Sequence, residues 1–236
     1  MRIGRVLPPA AAIVRLRDLA GGVRGIVLPA TSIRSREREL LDYFNVSHVS
    51  LVSSGTAALV LALRAVKAGT TRTDVVVPAY TCFSVPGAIV KAGLRPVPCD
   101  IDPTTFDFDR RQLERLVSEK TLCVISHHLF GIPSNVDATR TLCRRFGVPV
   151  VEDAAQAMGG HSSDGRLLGT LGDIGVFSVG RGKNITCGSG GIVVTSSDSL
   201  GARVAEQAGR LPALSPGSLL KELAKVTAMA ALINPR

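Results

Sequence analysis

The chain has 236 residues, 45% apolar and 20% charged, a balance that suits one large α/β domain or two small ones with a real core and reads as globular, not disordered. Its net charge, 28 − 19 = +9, favours an anionic partner, yet the basic residues are scattered from Arg2 to Arg236 with only two tyrosines and no tryptophan, which disfavours nucleic acid. Five cysteines without a C-x-x-C pair read as reduced thiols of a cytoplasmic protein without a metal framework, and no run reaches the roughly 18 apolar residues of a membrane span.

Residues 1–14 carry arginines and an apolar patch that mimic a signal peptide, but Pro8 and Pro9 interrupt the patch and Arg15 and Arg17 follow at once, which argues against secretion. Residues 35–44 place Leu40, Leu41 and Phe44 on one side of a predicted helix. Residues 49–52 read as a strand that ends in Ser53-Ser54-Gly55-Thr56, before an apolar helix over 57–66. Such a turn points free backbone N–H groups at an anion, and equally lets a serine or threonine cap the helix. Strands over 74–77, 95–99, 121–126 and 148–151 then alternate with helices over 83–92, 108–118 and 135–146. Pro86 falls in a first turn, where its missing N–H is harmless, and Gly147 stops the last of these helices. The alternation predicts an α/β fold with a mostly parallel central sheet and helices on both faces. Ligands of such sheets bind beyond the carboxyl ends of the strands, where Ser54-Gly55-Thr56, Tyr80-Thr81, His127-His128 and Asp153 fall. Past Asp153 the chain is small and polar to residue 172; 174–177 and 192–195 then read as a strand pair, with helices following over 200–210 and 219–232.

Between that strand pair lies Lys183, on a turn where Gly180 and Gly182 flank Arg181. A lysine so held either grips a phosphate or acts as a nucleophile. The phosphate loop fails on spacing, because Phe177 stands five before Gly182 and Asn184 follows the lysine. A dinucleotide fingerprint fails too, since Val193 stands where a glycine is needed after Gly188 and Gly190. The nucleophile reading remains, and it requires a base, an acid or a cofactor from elsewhere in the chain.

Several ordered motifs surround the lysine: Ser54-Gly55-Thr56-Ala57-Ala58-Leu59, Val77-Pro78-Ala79-Tyr80-Thr81, Asp100-Ile101-Asp102-Pro103, His128-Leu129-Phe130-Gly131, Glu152-Asp153-Ala154-Ala155-Gln156, Gly172-Asp173-Ile174-Gly175 and Gly182-Lys183-Asn184. Each alone is weak; together, from about residue 49 to 195, they closely resemble the DegT/DnrJ/StrS family of pyridoxal-phosphate sugar aminotransferases. The resemblance implies a fold-type I large domain, pyridoxal 5'-phosphate as cofactor, and transfer of an amino group from glutamate or glutamine to a nucleotide-linked keto sugar. It implies that Lys183 joins the cofactor aldehyde as a Schiff base and then moves the proton, chemistry that needs an amine desolvated or placed beside other cations. Arg181 supplies such a cation or faces solvent. By the same resemblance Asp153 pairs with the protonated pyridine nitrogen, Gln156 contacts the ring or its hydroxyl, and the Gly55 and Thr56 amides hold the phosphate with the Ser178 hydroxyl. The alternatives are a helix cap for Asp153 and a solvent-facing Gln156.

Two features depart from the family pattern. Cys82 stands where an aromatic residue commonly stacks on the ring, so either its sulfur covers the ring or Phe83 approaches from beside it. His128 lines the substrate side or is structural; for His127, His161 and His48 no role is assigned. The other departure is at the end of the chain, which stops in what reads as a helical passage toward a further C-terminal domain, without the Gly-Tyr-Asn motif that reaches a neighbouring subunit's phosphate. The expected organisation is a leader and helix over 1–48, a cofactor-binding large domain over 49–210 and the start of that passage over 211–236, truncated, and a homodimer when full length. Two rival functions are a non-catalytic scaffold or regulatory remnant of this fold, and a pyridoxal enzyme acting on an amino acid. Lysine at 183 argues against the related sugar dehydratases, which carry histidine there.

Overall fold

The computed structural model describes residues 14–212 and 215–232, so most of the signal-like stretch and the last four residues lie outside it. The centre is a seven-stranded sheet made of β1 (His48–Val52), β2 (Asp74–Pro78), β3 (Arg95–Cys99), β4 (Thr121–His127), β5 (Val150–Asp153), β6 (Ile174–Ser178) and β7 (Gly191–Thr195), in the spatial order β1-β7-β6-β5-β4-β2-β3. From β6 to β3 all neighbours run parallel, whereas β7 is antiparallel to both β6 and β1. The lysine turn makes this exception, because it returns the chain directly from β6 into β7 with no crossover helix.

Period-two alternation sends successive strand side chains into two separate cores. Val75, Val77, Ile125, Val151 and Val176 pack under α3 (Gly55–Lys67), α4 (Ser84–Lys91) and α7 (Asp198–Gly209). Val76, Val124, Val150, Phe177 and Ile192 pack under α2 (Pro29–Phe44), α5 (Arg110–Leu116) and α6 (Val136–Arg144). Helix α3 is apolar almost all round because it is buried almost all round, from Ala58 to Val66. The same alternation sorts the polar residues at the strand ends. Asp153 and His127 share the α3 face, and Glu152 and Ser126 take the other.

The expected elements are present, with differences at their ends. β5 starts two residues later than expected and continues through Glu152 and Asp153, because both pair with β4 on one side and β6 on the other. The leader contains a helix that sequence periodicity did not suggest, α1 (Leu16–Val27), whose Gly21, Gly22 and Gly25 weaken any helical signal. Asp18 starts it by accepting the Arg15 N–H at 2.8 Å. Gly22 is needed for packing: a Cβ there would lie 2.7 Å from Leu223 Cδ1 of α8 (Pro216–Leu232). Helix α8 also crosses the lysine turn, where a Cβ on Gly188 would lie 2.6 Å from Val226 Cγ2. No described helix is long and apolar enough to cross a membrane.

Candidate active site

At the start of α3, Ser54 is in an extended conformation and its Oγ accepts the Ala57 N–H at 3.1 Å. The serine therefore does cap the helix, and capping does not compete with anion binding: it takes the third amide and leaves those of Gly55 and Thr56 without a protein acceptor among the described residues. Ser178, at the end of β6, lies directly against them, since a Cβ on Gly55 would sit 2.6 Å from Ser178 Cβ and 2.9 Å from its Oγ. A Cβ on Gly191 would overlap Ser54 O, and Ser189 Oγ donates to Ser53 O at 2.6 Å. Two glycines and one hydroxyl thus bring the helix start and the lysine turn together, forming a cradle of two open N–H groups and a serine.

Asp153 ends β5, next to β6. Although part of the residue still meets solvent, dense surroundings push its carboxyl above the ordinary carboxylate range. The Ala155 N–H, donating at 3.1 Å, and the nearby His127, Lys183 and His128 pull it partly back. Lys183 is therefore within electrostatic reach of Asp153, across the β5–β6 edge from the cradle. The bond to Ala155 closes a turn and not a helix cap, since no helix follows. His127 stands beside Asp153 in register on β4. Its Nε2 donates to Phe106 O and its Nδ1 accepts from Thr81 Oγ1, each at 3.4 Å, and burial pushes its pKa down, so it is a neutral imidazole facing the pocket wall. Sequence reading assigned it no role; the alternation along β4 was the signal that puts it on the face of Asp153.

His128 and Glu152 lie on the opposite side. Both are fully buried, so His128 is structural and does not line a substrate cavity. The Ser134 N–H donates to His128 Nδ1 at 3.0 Å, which fixes the proton on Nε2, and Nε2 donates to Glu152 Oε1 at 2.7 Å. Glu152 also accepts from the backbone N–H groups of Gly169, Leu171 and Gly172 at 2.5, 2.7 and 2.7 Å. Four donors satisfy a buried carboxylate, and the network holds the 167–172 loop beneath the strand that carries Asp153. The His128 N–H donates to Asp153 O at 3.1 Å, which ties the two strand ends together.

The remaining sequence-predicted residues sit at the same end of the sheet. Gln156 Oε1 accepts the Phe130 N–H at 2.7 Å, so its amide oxygen anchors a neighbouring loop while its Nε2 donates to no described residue. Cys82 is exposed, its sulfur accepting from Ser84 Oγ at 3.1 Å, and the Phe83 ring is 88% exposed. Arg181 lies near Glu222 of α8 and contributes to the lowered pKa of that carboxyl, behind the Lys225 hydrogen bond that dominates it.

A model of the DegT/DnrJ/EryC1/StrS aminotransferase family matches residues 25–211. The chain belongs to that family. It is 36% identical over 169 residues to a pleiotropic regulatory protein of Geobacillus stearothermophilus, and 36% identical over 168 residues to the GDP-perosamine synthase of Caulobacter vibrioides. Each alignment covers 71% of this chain and 45% of the relative, so the chain spans about half the length of the curated relatives it matches. Among solved structures, DesI in the presence of its TDP-sugar product superposes with a TM-score of 0.78 at 28% identity, covering 98% of this chain and 62% of that one. The fold is the fold-type I arrangement expected from the motifs. The residues present fit the family's cofactor: a phosphate cradle whose space a Cβ on Gly55 would close, and a carboxyl at the end of β5 that feels the charge of the lysine on the next turn.

Proposed function

We propose that the chain carries the cofactor half of an aminotransferase that moves an amino group from glutamate or glutamine to a nucleotide-linked keto sugar, with pyridoxal 5'-phosphate as cofactor. The observation that supports this most is the meeting of the turn that carries Lys183, the open Gly55 and Thr56 amides against Ser178, and Asp153 at the end of the neighbouring strand, all at the carboxyl edge of the sheet and inside the family match. When bound, pyridoxal phosphate supplies an aldehyde that takes up amines and a ring that stores electrons. The Gly55 and Thr56 N–H groups and the Ser178 hydroxyl would hold its phosphate, aided by the α3 dipole. The Asp153 carboxyl would face its ring nitrogen and hold a proton there. Lys183 Nζ would bond its aldehyde and would be the base and acid that moves the donor Cα proton. Neutral His127 holds the wall beside Asp153 without adding charge, and Gln156 Nε2 is free to donate to the ring hydroxyl. In place of an aromatic stack, Cys82 and Phe83 are the residues at hand.

The proposed partners are the keto sugar nucleotide, glutamate or glutamine, and a second copy of the protein in a homodimer. Five unpaired thiols among the described residues support a cytoplasmic setting. The large-domain boundary at 49–210 and a helical passage from 211 remain part of this proposal. The test uses ¹⁵N-labelled glutamate or glutamine, the cofactor and a panel of keto sugar nucleotides, read by mass spectrometry. Label in an amino sugar nucleotide supports the reading; label passed only to 2-oxo acids supports a pyridoxal enzyme of amino acids and overturns it.

A further inference from the structure

Three aromatic rings stand in a row beside His127 and Gln156, each from a different strand-end loop. Tyr80 follows β2, Phe106 lies between β3 and α5, and Phe130 follows β4. The Tyr80 and Phe106 centroids are 6.4 Å apart, and Phe106 and Phe130 meet edge to face at 6.0 Å. The outer two rings are 54% and 63% exposed. Apolar rings left this open beside a polar pocket need an occupant or a reason.

The backbone supplies a second, independent observation. Phe106 and Phe130 have φ of 59° and 56°, a left-handed conformation that is a true outlier for a bulky residue and strains the backbone at each. Among the described residues the only other non-glycine with positive φ is Asn45, a helix C-cap where asparagine is at home. Strain is thus concentrated in two touching rings, and each is held by a pocket residue. His127 Nε2 donates to Phe106 O, and the Phe130 N–H donates to Gln156 Oε1. Glycine would make both turns without strain, so the rings are retained for what their faces do.

We infer that Tyr80, Phe106 and Phe130 form a stacking platform for the apolar face of the substrate's sugar ring, presented to the pocket by His127 and Gln156. This inference rests on the function proposed above and deepens it. A pyranose ring has a C–H face that packs on aromatic rings and a rim of hydroxyls that needs polar partners. Thr81, next to Tyr80, carries a hydroxyl 3.4 Å from His127 Nδ1, a polar group beside the rings. A second protein copy fits less well, because three partly covered rings offer far less than the roughly 800 Å² per partner of a stable interface.

The test is saturation-transfer NMR on the whole chain loaded with pyridoxal phosphate, with GDP-mannose, UDP-N-acetylglucosamine and TDP-glucose as probes. Wild type is expected to saturate the pyranose protons of at least one probe. Phe106→Gly and Phe130→Gly relieve the strain, so each is expected to melt within about 3 °C of wild type while losing at least five-fold of the pyranose saturation. Phe130→Tyr is expected to keep it. Saturation confined to base and ribose protons, no saturation of any probe, or unchanged pyranose saturation in the glycine variants overturns the platform. So does a dimer in sedimentation that the glycine variants dissociate, which would make the rings an interface. Borohydride trapping on Lys183 in the same samples separates the two readings. A trapped adduct without pyranose contact removes only the platform, and no trapped adduct in wild type removes the proposed function with it.

Discussion

At the scale of single residues the site depends on where burial leaves its charges. Asp153 has a carboxyl whose pKa burial raises. Ionisation of such a group opposes folding: the penalty is absent below the unfolded carboxylate range, about 3.9, grows as pH rises from there to the folded value, and stays constant above it. Asp153→Asn keeps an oxygen for the Ala155 N–H and removes the charge. It is therefore expected to raise the melting temperature of the cofactor-free protein at neutral pH, to lose that advantage as pH falls to about 3.9, and to retain less pyridoxal phosphate on gel filtration. An unchanged or lower melting temperature at neutral pH contradicts this account of the residue. The placement of Asp153 and of the lysine turn at one edge of the sheet was legible in the sequence because the motifs fix their order at strand ends. Glu152 and His128 were not, because a buried carboxylate with four donors looks in sequence like half of a charged turn. His127 was passed over for a similar reason, since its partners are a carbonyl and a hydroxyl far away in the chain.

At the scale of elements, close approach of backbones decides which glycines matter. A Cβ on Gly175 of β6 would overlap Gly169 O, and one on Gly169, at φ 93°, would overlap the buried Phe177 ring. Gly175→Ala is expected to cost on the order of 3 kcal/mol or more, because backbone and a close-packed ring must move together. Gly25 in α1 has open space around its Cβ position, so Gly25→Ala is expected to add about 0.5–1 kcal/mol to that helix. Chemical denaturation checks the first; amide exchange in α1, slowed in the variant, checks the second. Equal effects at the two positions would mean that packing around β6 is looser than the structure has it. Strand and helix alternation was legible across the sheet because hydrophobic periodicity encodes which face is covered. Helix α1 was not, since its three glycines remove the propensity and it packs on α8, far along the chain, as well as on α2.

At the scale of the whole molecule, α8 links α1 to the lysine turn. It packs on α1 through Leu223 and on the lysine turn through Val226, and Glu222 of the same helix lies near Arg181. Val226→Asp places a charge against Gly188 and is expected to speed amide exchange across residues 180–190 several-fold while the β4 and β5 amides keep their protection. Uniform acceleration would instead mean global destabilisation. The mostly parallel character of the sheet and the strand pair around the lysine turn were legible, because strand and helix alternate along the chain and the turn leaves no room for a crossover helix, whereas the order of the strands was not. The docking of α1 and α8 was not, since it depends on two short apolar contacts far apart in sequence. The central claim is that Lys183 is the residue that bonds the cofactor, and one experiment addresses it directly. The purified chain is incubated with pyridoxal phosphate, reduced with borohydride, digested and mapped by mass spectrometry, beside Lys183→Ala. The account predicts a reduced phosphopyridoxyl group on Lys183 in the wild type and none in the variant; wild type without that adduct, or the same adduct yield from Lys183→Ala, contradicts it.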